Sequence, residues 1–528
     1  MKRPLVIILS VIVVLAILVV GSTWVLGSLT EQGVRNYIAE IETSPATRQV
    51  DLELPEYERG FLKSSGSTSI GVQGVKQQAF LKHEIFHGPF AMTPDGFKAG
   101  YAYIVTTLDR DKFPAELKES LAEVYGENEP FSVKTTVPLA GSRVSEVEIA
   151  AVDHDAGNLA LKFDGGECRF EVASDNKSMS GSIQFGALSM KETSDGVMTL
   201  KLDPTDLRIS GEEESSFVAN GSIGKCDFNK SDESGPGISI AMEAIGLDAN
   251  YEAMEEGSNV LLGTAKVITP KVAVKIADSG GIEVTDLSIQ SGTSEKGDLI
   301  ESTAAYEVTS VNETFSQGGA SAPYLEVLKT GAKLTAVFRV PKSAMEALAE
   351  IQKEMQASQR ELLANPDAAE EIGAEQAKVV ADTYEHMLRA LTKGTGFSLG
   401  IASGEEDAGV NLDIALTYTG DKPLTAQKTI LDLVQSMLVK LGARLPKALL
   451  PESEGMQQQM AMLTMTGSVA ETPTAYLTEM VLENGKLTTN GQPNLLFEQM
   501  APMMMQEIPW DAMFDGMRQA GAKGDEGE

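Results

Sequence analysis

Cysteine is nearly absent from this 528-residue chain: Cys168 and Cys226 are the only two. They show no C-x-x-C spacing, so a redox-catalytic pair is excluded. Two readings stay open, a structural disulfide between neighbouring strands or two separate buried thiols. Basic residues are also scarce. Forty-three Lys and Arg stand against 76 Asp and Glu, a formal net charge of −33. Phosphate recognition needs a basic face, so no nucleic-acid partner is expected. Broad adsorption to anionic lipid heads is disfavoured for the same reason, and a solvated acidic surface is what remains. No G-x-S-x-G, Walker A loop, S-x-x-K set or EF-hand loop occurs. No cofactor is implied, and the chain reads as a non-enzyme.

Long apolar runs are missing everywhere except the start. Residues 5–27, LVIILSVIVVLAILVVGSTWVLG, run for 23 residues without a charge. A bilayer core needs roughly 20 such residues in a helix. Lys2 and Arg3 precede the run and the first acid is Glu31. The positive-inside rule then keeps the N-terminus cytoplasmic and exports the rest. The run exceeds a signal peptide's usual apolar region and ends without a clean A-x-A site, which favours an uncleaved single-span anchor.

The remainder reads as α+β. Residues 30–42 continue helically, and from about 50 to 330 short alternating runs separated by Gly, Asp, Asn and Ser predict a long antiparallel β-rich body. Ser132–Val137, Leu159–Phe163 and Ser180–Phe185 are examples, and Pro114–Tyr125 predicts one helix. From about 331 a strand, Lys333–Val340, gives way to a helix with Ser343 and Glu346 as a capping box. A second helix runs to Leu391, and a hairpin follows through Phe397–Ile401 and Val410–Tyr418. A similar order recurs from Met437–Leu445 through a helix to the Asn484-Gly485 hairpin. Domain boundaries are expected at 1–29, 30–330 and 331–518, with 519–528 a disordered tail.

The stretch His83-Glu84-Ile85-Phe86-His87 fits the zinc-protease pattern H-E-x-x-H. A zincin carries that pattern on a helix, which stacks both imidazoles toward one metal. Here Gly88-Pro89 would end the helix at its second ligand. In a strand the two histidines would stand about 13 Å apart. A strand is therefore predicted, with no metal site. The methionine clusters at 456–465 and 500–505 read as pliable packing or apolar contact rather than copper ligands. Leu495, Leu496, Phe497, Met503, Met504 and Trp510 form the candidate contact set, within a stretch extending to Met517.

Tyr57-Glu58-Arg59-Gly60-Phe61, Ser64, His87-Gly88-Pro89-Phe90, Glu483-Asn484-Gly485-Lys486-Leu487-Thr488 and Asn490-Gly491-Gln492 occur in that order behind the apolar start. In this the chain resembles the YdgA-like family of bacterial envelope proteins, to about residue 505. His83 and the two cysteines lie outside that pattern. The resemblance implies a bacterial inner-membrane protein with a periplasmic body, and no reaction. Tyr57, Arg59, Gly60, His87, Gly88, Pro89 and Phe90 then read first as structure, with Arg59 paired and Gly60 allowing close packing. A contact site formed with His87 is the alternative. An anchor followed by a long twisted sheet also resembles the AsmA-like architecture, whose sheets form apolar grooves. The expected roles are handling a lipid or other apolar ligand in such a groove, or serving as an envelope protein-interaction scaffold.

Overall fold

The computed structural model describes residues 50–313, 328–348 and 382–522, apart from gaps of one to five residues. The expected anchor at 5–27, the helix at 30–42 and most of the two helices between 349 and 384 lie outside the described residues. Among the described residues no helix is long and apolar enough to cross a membrane. The body is mostly antiparallel sheet with a few helices. It divides after Ile240 into two compact units.

The first unit begins with β1 (Val50–Glu58), β2 (Lys63–Val72) and β3 (Val75–His87). A small separate hairpin follows, β4 (Phe90–Thr93) and β5 (Gly96–Ala99), then β6 (Ala102–Leu108). Helix α1 (Ala115–Tyr125) leads to β7 (Phe131–Val137), β8 (Arg143–Ile149) and β9 (Val152–Asp155). Next come β10 (Leu159–Phe163), β11 (Gly166–Val172), β12 (Ser178–Phe185) and β13 (Leu188–Glu192). The series closes with β14 (Val197–Leu202), β15 (Thr205–Glu212), β16 (Ser216–Ile223) and β17 (Cys226–Ser231).

These strands form two arms. One runs β1–β2–β3–β6–β7–β8–β11–β12–β15–β16, antiparallel throughout. The other runs β9–β10–β13–β14–β17. The chain passes between them at two-residue corners: 150–151, 164–165, 186–187, 203–204 and 224–225. Each pair of strands joined by a corner is thus one long strand bent in the middle, and the sheet is creased along a line of corners. The corners bond to one another: Asp164 N–H donates to Ala187 O (3.0 Å), Gly186 N–H to Gly165 O (2.7 Å) and Asp203 N–H to Lys225 O (2.8 Å). Gly224 shows why small residues sit there. A Cβ on it would lie 2.1 Å from Asp203 O, so no side chain fits.

The crease folds the apolar faces inward. Directly opposed residues share a face in an antiparallel pair. The register therefore aligns His83, Thr106, Val133, Val147, Cys168, Ile183 and Leu207 in one row across the first arm. A facing row in the second arm holds His154, Leu161, Met190, Leu200 and Phe228. Both contribute to one core, with Phe131, Val133, Val147, Cys168 and Phe170 from one side and Val152 and Leu161 from the other. Helix α1 carries Leu117, Leu121 and Tyr125 four residues apart on one stripe, all buried; Leu121 and Tyr125 join this core. Leu121→Ala would cost about 2–5 kcal/mol. The outer face is polar, and on it Arg169 pairs with Glu146, its register partner.

β18 (Ile238–Met242) spans the division. The second unit comprises β19 (Ile245–Ala253), β20 (Leu261–Ile276), β21 (Gly280–Lys296), β22 (Leu299–Val308), β23 (Ser310–Glu313), β24 (Ala332–Pro341), β25 (Gly396–Ser403) and β26 (Val410–Tyr418). Helix α2 (Ile430–Gln435), β27 (Met437–Pro446), helix α3 (Glu454–Met465), β28 (Ala470–Glu471), β29 (Ala475–Glu483), β30 (Lys486–Thr489) and β31 (Gln492–Pro493) follow. Helices α4 (Leu495–Gln499) and α5 (Trp510–Ala522) end the described chain. The pairing is a meander, β19–β20–β21–β22–β24–β25–β26–β27–β29–β30.

Two details depart from expectation. Residues 342–348 are helical, so Ser343 stands inside the first turn rather than at its cap. The capping box belongs instead to α2, where Thr429 accepts from Asp432 N–H and Asp432 from Thr429 N–H. Helix α5 also runs to Ala522, into the stretch expected to be a disordered tail.

Candidate functional site

The H-E-x-x-H stretch lies on β3, as its flanking residues suggested. Alternation along the strand puts His83 and His87 on one face and Glu84 on the other. Glu84 pairs with Lys63 at 3.0 Å. His83 is buried, with Nε2 bonded to Thr68 Oγ1 (2.8 Å) and Nδ1 to Thr106 Oγ1 (2.9 Å). Both ring nitrogens are thus occupied by hydroxyls. Burial drives its pKa down to about 4, so the ring is neutral. These residues do not assemble a zincin's geometry.

His87 has a different partner. Its Nε2 lies 2.7 Å from Ser64 Oγ, and Gly60 N–H donates to the same oxygen at 3.2 Å. His87 N–H donates to Leu62 O and Gly88 N–H to Tyr101 O. The two short sequence motifs are therefore clasped together where β2 begins and β3 ends. Ser64 is 1% exposed, which leaves no approach for a substrate and makes the pair a fastener rather than a nucleophile and base. A Cβ on Gly88 would sit 1.5 Å from Gly100 O. Tyr57 stands opposite Gly66 in the β1–β2 register. Arg59 and Pro89 lie outside the described residues. Phe90 is not part of the clasp: it is on β4, stacked on Phe97.

The cysteines are free thiols. Cys168 on β11 neighbours β8 and β12, while Cys226 on β17 neighbours β14. They are on different arms, so the idea that neighbouring strands bring them together is corrected. Similar local sequence reflected only that each follows a corner. Burial pushes the Cys168 thiol up to about 11 and raises that of Cys226.

The contact set at the C-terminus is split. Leu495 and Met503 are exposed, with Met500, Met505 and Met513. Phe497 is half-buried in α4, which Asn494 caps, and Met504 is buried. Trp510 donates from Nε1 to Gln427 O (2.9 Å) and stacks on buried Phe514. The side chain of Leu496 is outside the described set.

The larger feature has no local signature in the sequence. In the second unit Leu334, Ala336 and Phe338 of β24 share a face. The register sets them against Ile401, Leu399 and Phe397, then Leu412, Ile414 and Leu416, then Ala443, Leu441 and Val439. Met480 and Leu482 extend it. Tyr306 and Ile289 continue the first row on the other side. The opposite face carries ion pairs, Lys333–Glu307 and Arg339–Glu301. This apolar face is not sealed: Phe338 is 51% exposed, Tyr306 47%, Leu416 40% and Ile289 37%. In the first unit the inner rows open likewise. Val147 and Cys168 are buried, whereas Ile183 and Leu207, next in the same row, are half-buried. A concavity outside the crease is lined by Glu148, Asp164, Glu167 and Asp206, so its chemistry is polar.

The class these features define is a β-rich protein built of amphipathic antiparallel sheets with partly uncovered apolar faces. The chain belongs to a bacterial family of unknown function, DUF945, whose model matches residues 1–495. No curated protein matches it, and no solved structure does.

Proposed function

We propose that this protein is a membrane-anchored, non-enzymatic component of the bacterial envelope that holds acyl chains of lipid against its apolar sheet faces. The observation that carries the reading is the exposure of Phe338, Tyr306, Leu416 and Ile289 on one continuous apolar face. Monomeric soluble proteins seldom leave such a face bare without a use for it. The uncharged run at 5–27 supports anchorage, and the resemblance to YdgA-like proteins supports an inner-membrane position with a periplasmic body.

Magnitudes select the ligand class. Each methylene removed from water contributes about 0.8 kcal/mol. Association costs some 4–15 kcal/mol. Two acyl chains with about 20 or more methylenes between them clear even the upper figure, and a short apolar metabolite does not. The groups lining the face are aliphatic and aromatic, so recognition is of the acyl chain rather than of a headgroup.

A second reading rests on Leu495, Met503 and Met505, exposed at 66%, 73% and 61%. It is a protein-interaction scaffold that docks a partner through the methionine-rich end, where flexible thioethers adapt to varied surfaces.

Lipid extraction and mass spectrometry on the full chain, purified in mild detergent from a bacterial membrane, separate the two. A stoichiometric phospholipid or fatty acid surviving detergent exchange is the expected result. A lipid-free protein that cross-links in cells to one partner through position 503 would replace the lipid reading with the scaffold.

A further inference from the structure

One end of the first unit gathers six exposed apolar side chains from segments far apart in sequence. Leu62 precedes β2, Phe90 and Met92 lie on β4, Phe97 on β5, Tyr101 just before β6 and Leu139 just after β7. Their exposures are 70%, 63%, 85%, 69%, 57% and 51%. The register explains the gathering. Lys63 stands opposite Phe86, His87 opposite Ala102, and Ala102 opposite Val137, so all these segments meet at the same edge.

The β4–β5 hairpin is held in place. Tyr103 OH donates to the Asp95 carboxylate in its turn, and Lys134 adds an ion pair at 3.5 Å. Ala91 is buried against Phe86 and Tyr103. Its outward residues have no such partners: Phe90 and Phe97 stack on each other, centroids 5.5 Å apart, and both remain in water. The latched hairpin thus displays two aromatic rings and a methionine to solvent. Exposed rings of this kind insert into the boundary between headgroups and acyl chains, where amphipathic aromatic residues sit.

Local charge runs against that of the whole. Lys63, Lys98 and Arg143 border this end; its hairpin acid, Asp95, is engaged by Tyr103 and Lys134, and Lys134 also pairs with Glu148. Glu84 and Glu58 lie further along the strands, Glu84 against Lys63. In a chain of net charge −33 these cations reduce the repulsion between this end and an anionic bilayer. The chain's reach is also sufficient. Val50 pairs with Val72, so the chain enters at the far end of β2 from Leu62. Residues 28–49 separate the uncharged run from Val50; with 30–42 helical, as the sequence predicts, they reach about 50 Å, against about 33 Å for β2.

We infer that the β4–β5 hairpin, with Leu62, Tyr101 and Leu139, is a second membrane contact that inserts into the headgroup–acyl boundary of the bilayer holding the anchor. The inference rests on the membrane reading above. The hairpin holds one end of the first unit at the lipid surface.

The test uses the full chain in vesicles of phosphatidylethanolamine and phosphatidylglycerol, with p-benzoylphenylalanine in place of Met92, and at Met179 as a control. Flotation is measured first, then ultraviolet cross-linking and intact mass. Several-fold more lipid adduct at 92 than at 179 is expected. Vesicles that float the chain but give a protein–protein adduct at 92, or none, would overturn the hairpin contact and leave the anchor standing. A chain that does not float would overturn both. A double variant, Phe90→Ser with Phe97→Ser, should float yet lose the protection of the hairpin from protease that vesicles confer. Protection unchanged in that variant would also overturn the contact.

Discussion

Ser64 Oγ and His87 Nε2 meet at 2.7 Å across 23 residues of sequence. Because Ser64 is buried and also accepts from Gly60 N–H, the pair ties the start of β2 to the end of β3. Ser64→Ala removes the acceptor of one and the partner of the other. A loss of about 1–3 kcal/mol is expected in urea unfolding. His87→Ala should cost a similar amount, and the double variant less than the sum, since both remove one bond. Strict additivity would show that the clasp does not couple them.

Gly88 is the steric side of the same clasp. With Gly100 O 1.5 Å from where a Cβ would stand, Gly88→Ala must move backbone on β3 or before β6. Destabilisation above about 2 kcal/mol is expected. Gly96→Ala, in the β4–β5 turn, meets no atom and carries only its backbone strain. If both variants unfold at the same urea concentration, the close approach is not what holds that position.

His83 makes stability depend on pH. Its folded pKa is about 4 against 6.5 when unfolded. The unfolded chain therefore binds the extra proton first as pH falls. The contribution is complete above pH 6.5 and is lost progressively toward pH 4, roughly 3 kcal/mol in all. Denaturation at pH 7.5 and 4.5 should show the fall, and His83→Gln should flatten it. An unaltered slope in the variant would assign the dependence to other groups.

Thiol chemistry tests the cysteine placement. Two free thiols should titrate in denaturant without reductant. In the native state half-buried Cys226 should be alkylated slowly, and Cys168, buried and with its thiol pushed up to about 11, only on unfolding. One disulfide and no free thiol would contradict the placement of Cys168 and Cys226 on strands that are not neighbours.

Local features of this fold were readable and long-range ones were not. Leu159–Phe163 and the Asn484-Gly485 turn follow from alternation and turn chemistry, which act within a few residues. The strand at 83–87 followed from Gly88-Pro89 beside it. The crease did not, because corners such as Asp164-Gly165 and Asp203-Pro204 carry the same residues as ordinary turns, Ala150-Ala151 carries none, and nothing local says which strands a corner joins. The cysteines misled for the same reason: matching surroundings do not say which arm a strand joins. At the apolar face, the alternation of Leu334, Ala336 and Phe338 announced a strand with one apolar side. Whether anything covers that side is decided by the packing of distant elements. At the hairpin, Phe90, Met92 and Phe97 flanking a Pro94-Asp95-Gly96 turn are a local signal of an exposed apolar surface, whereas Phe90 also continues the His87-Gly88-Pro89 motif.

The most direct measurement is native mass spectrometry of the full chain beside Phe338→Asp and Leu416→Asp. Both residues are exposed, at 51% and 40%, so each change should alter stability by no more than about 1 kcal/mol. The wild-type chain should retain one or more acyl lipids after detergent exchange, and the aspartate variants should lose them while unfolding at nearly the same urea concentration. Equal lipid retention in all three, or none in any, would contradict acyl binding on that sheet face.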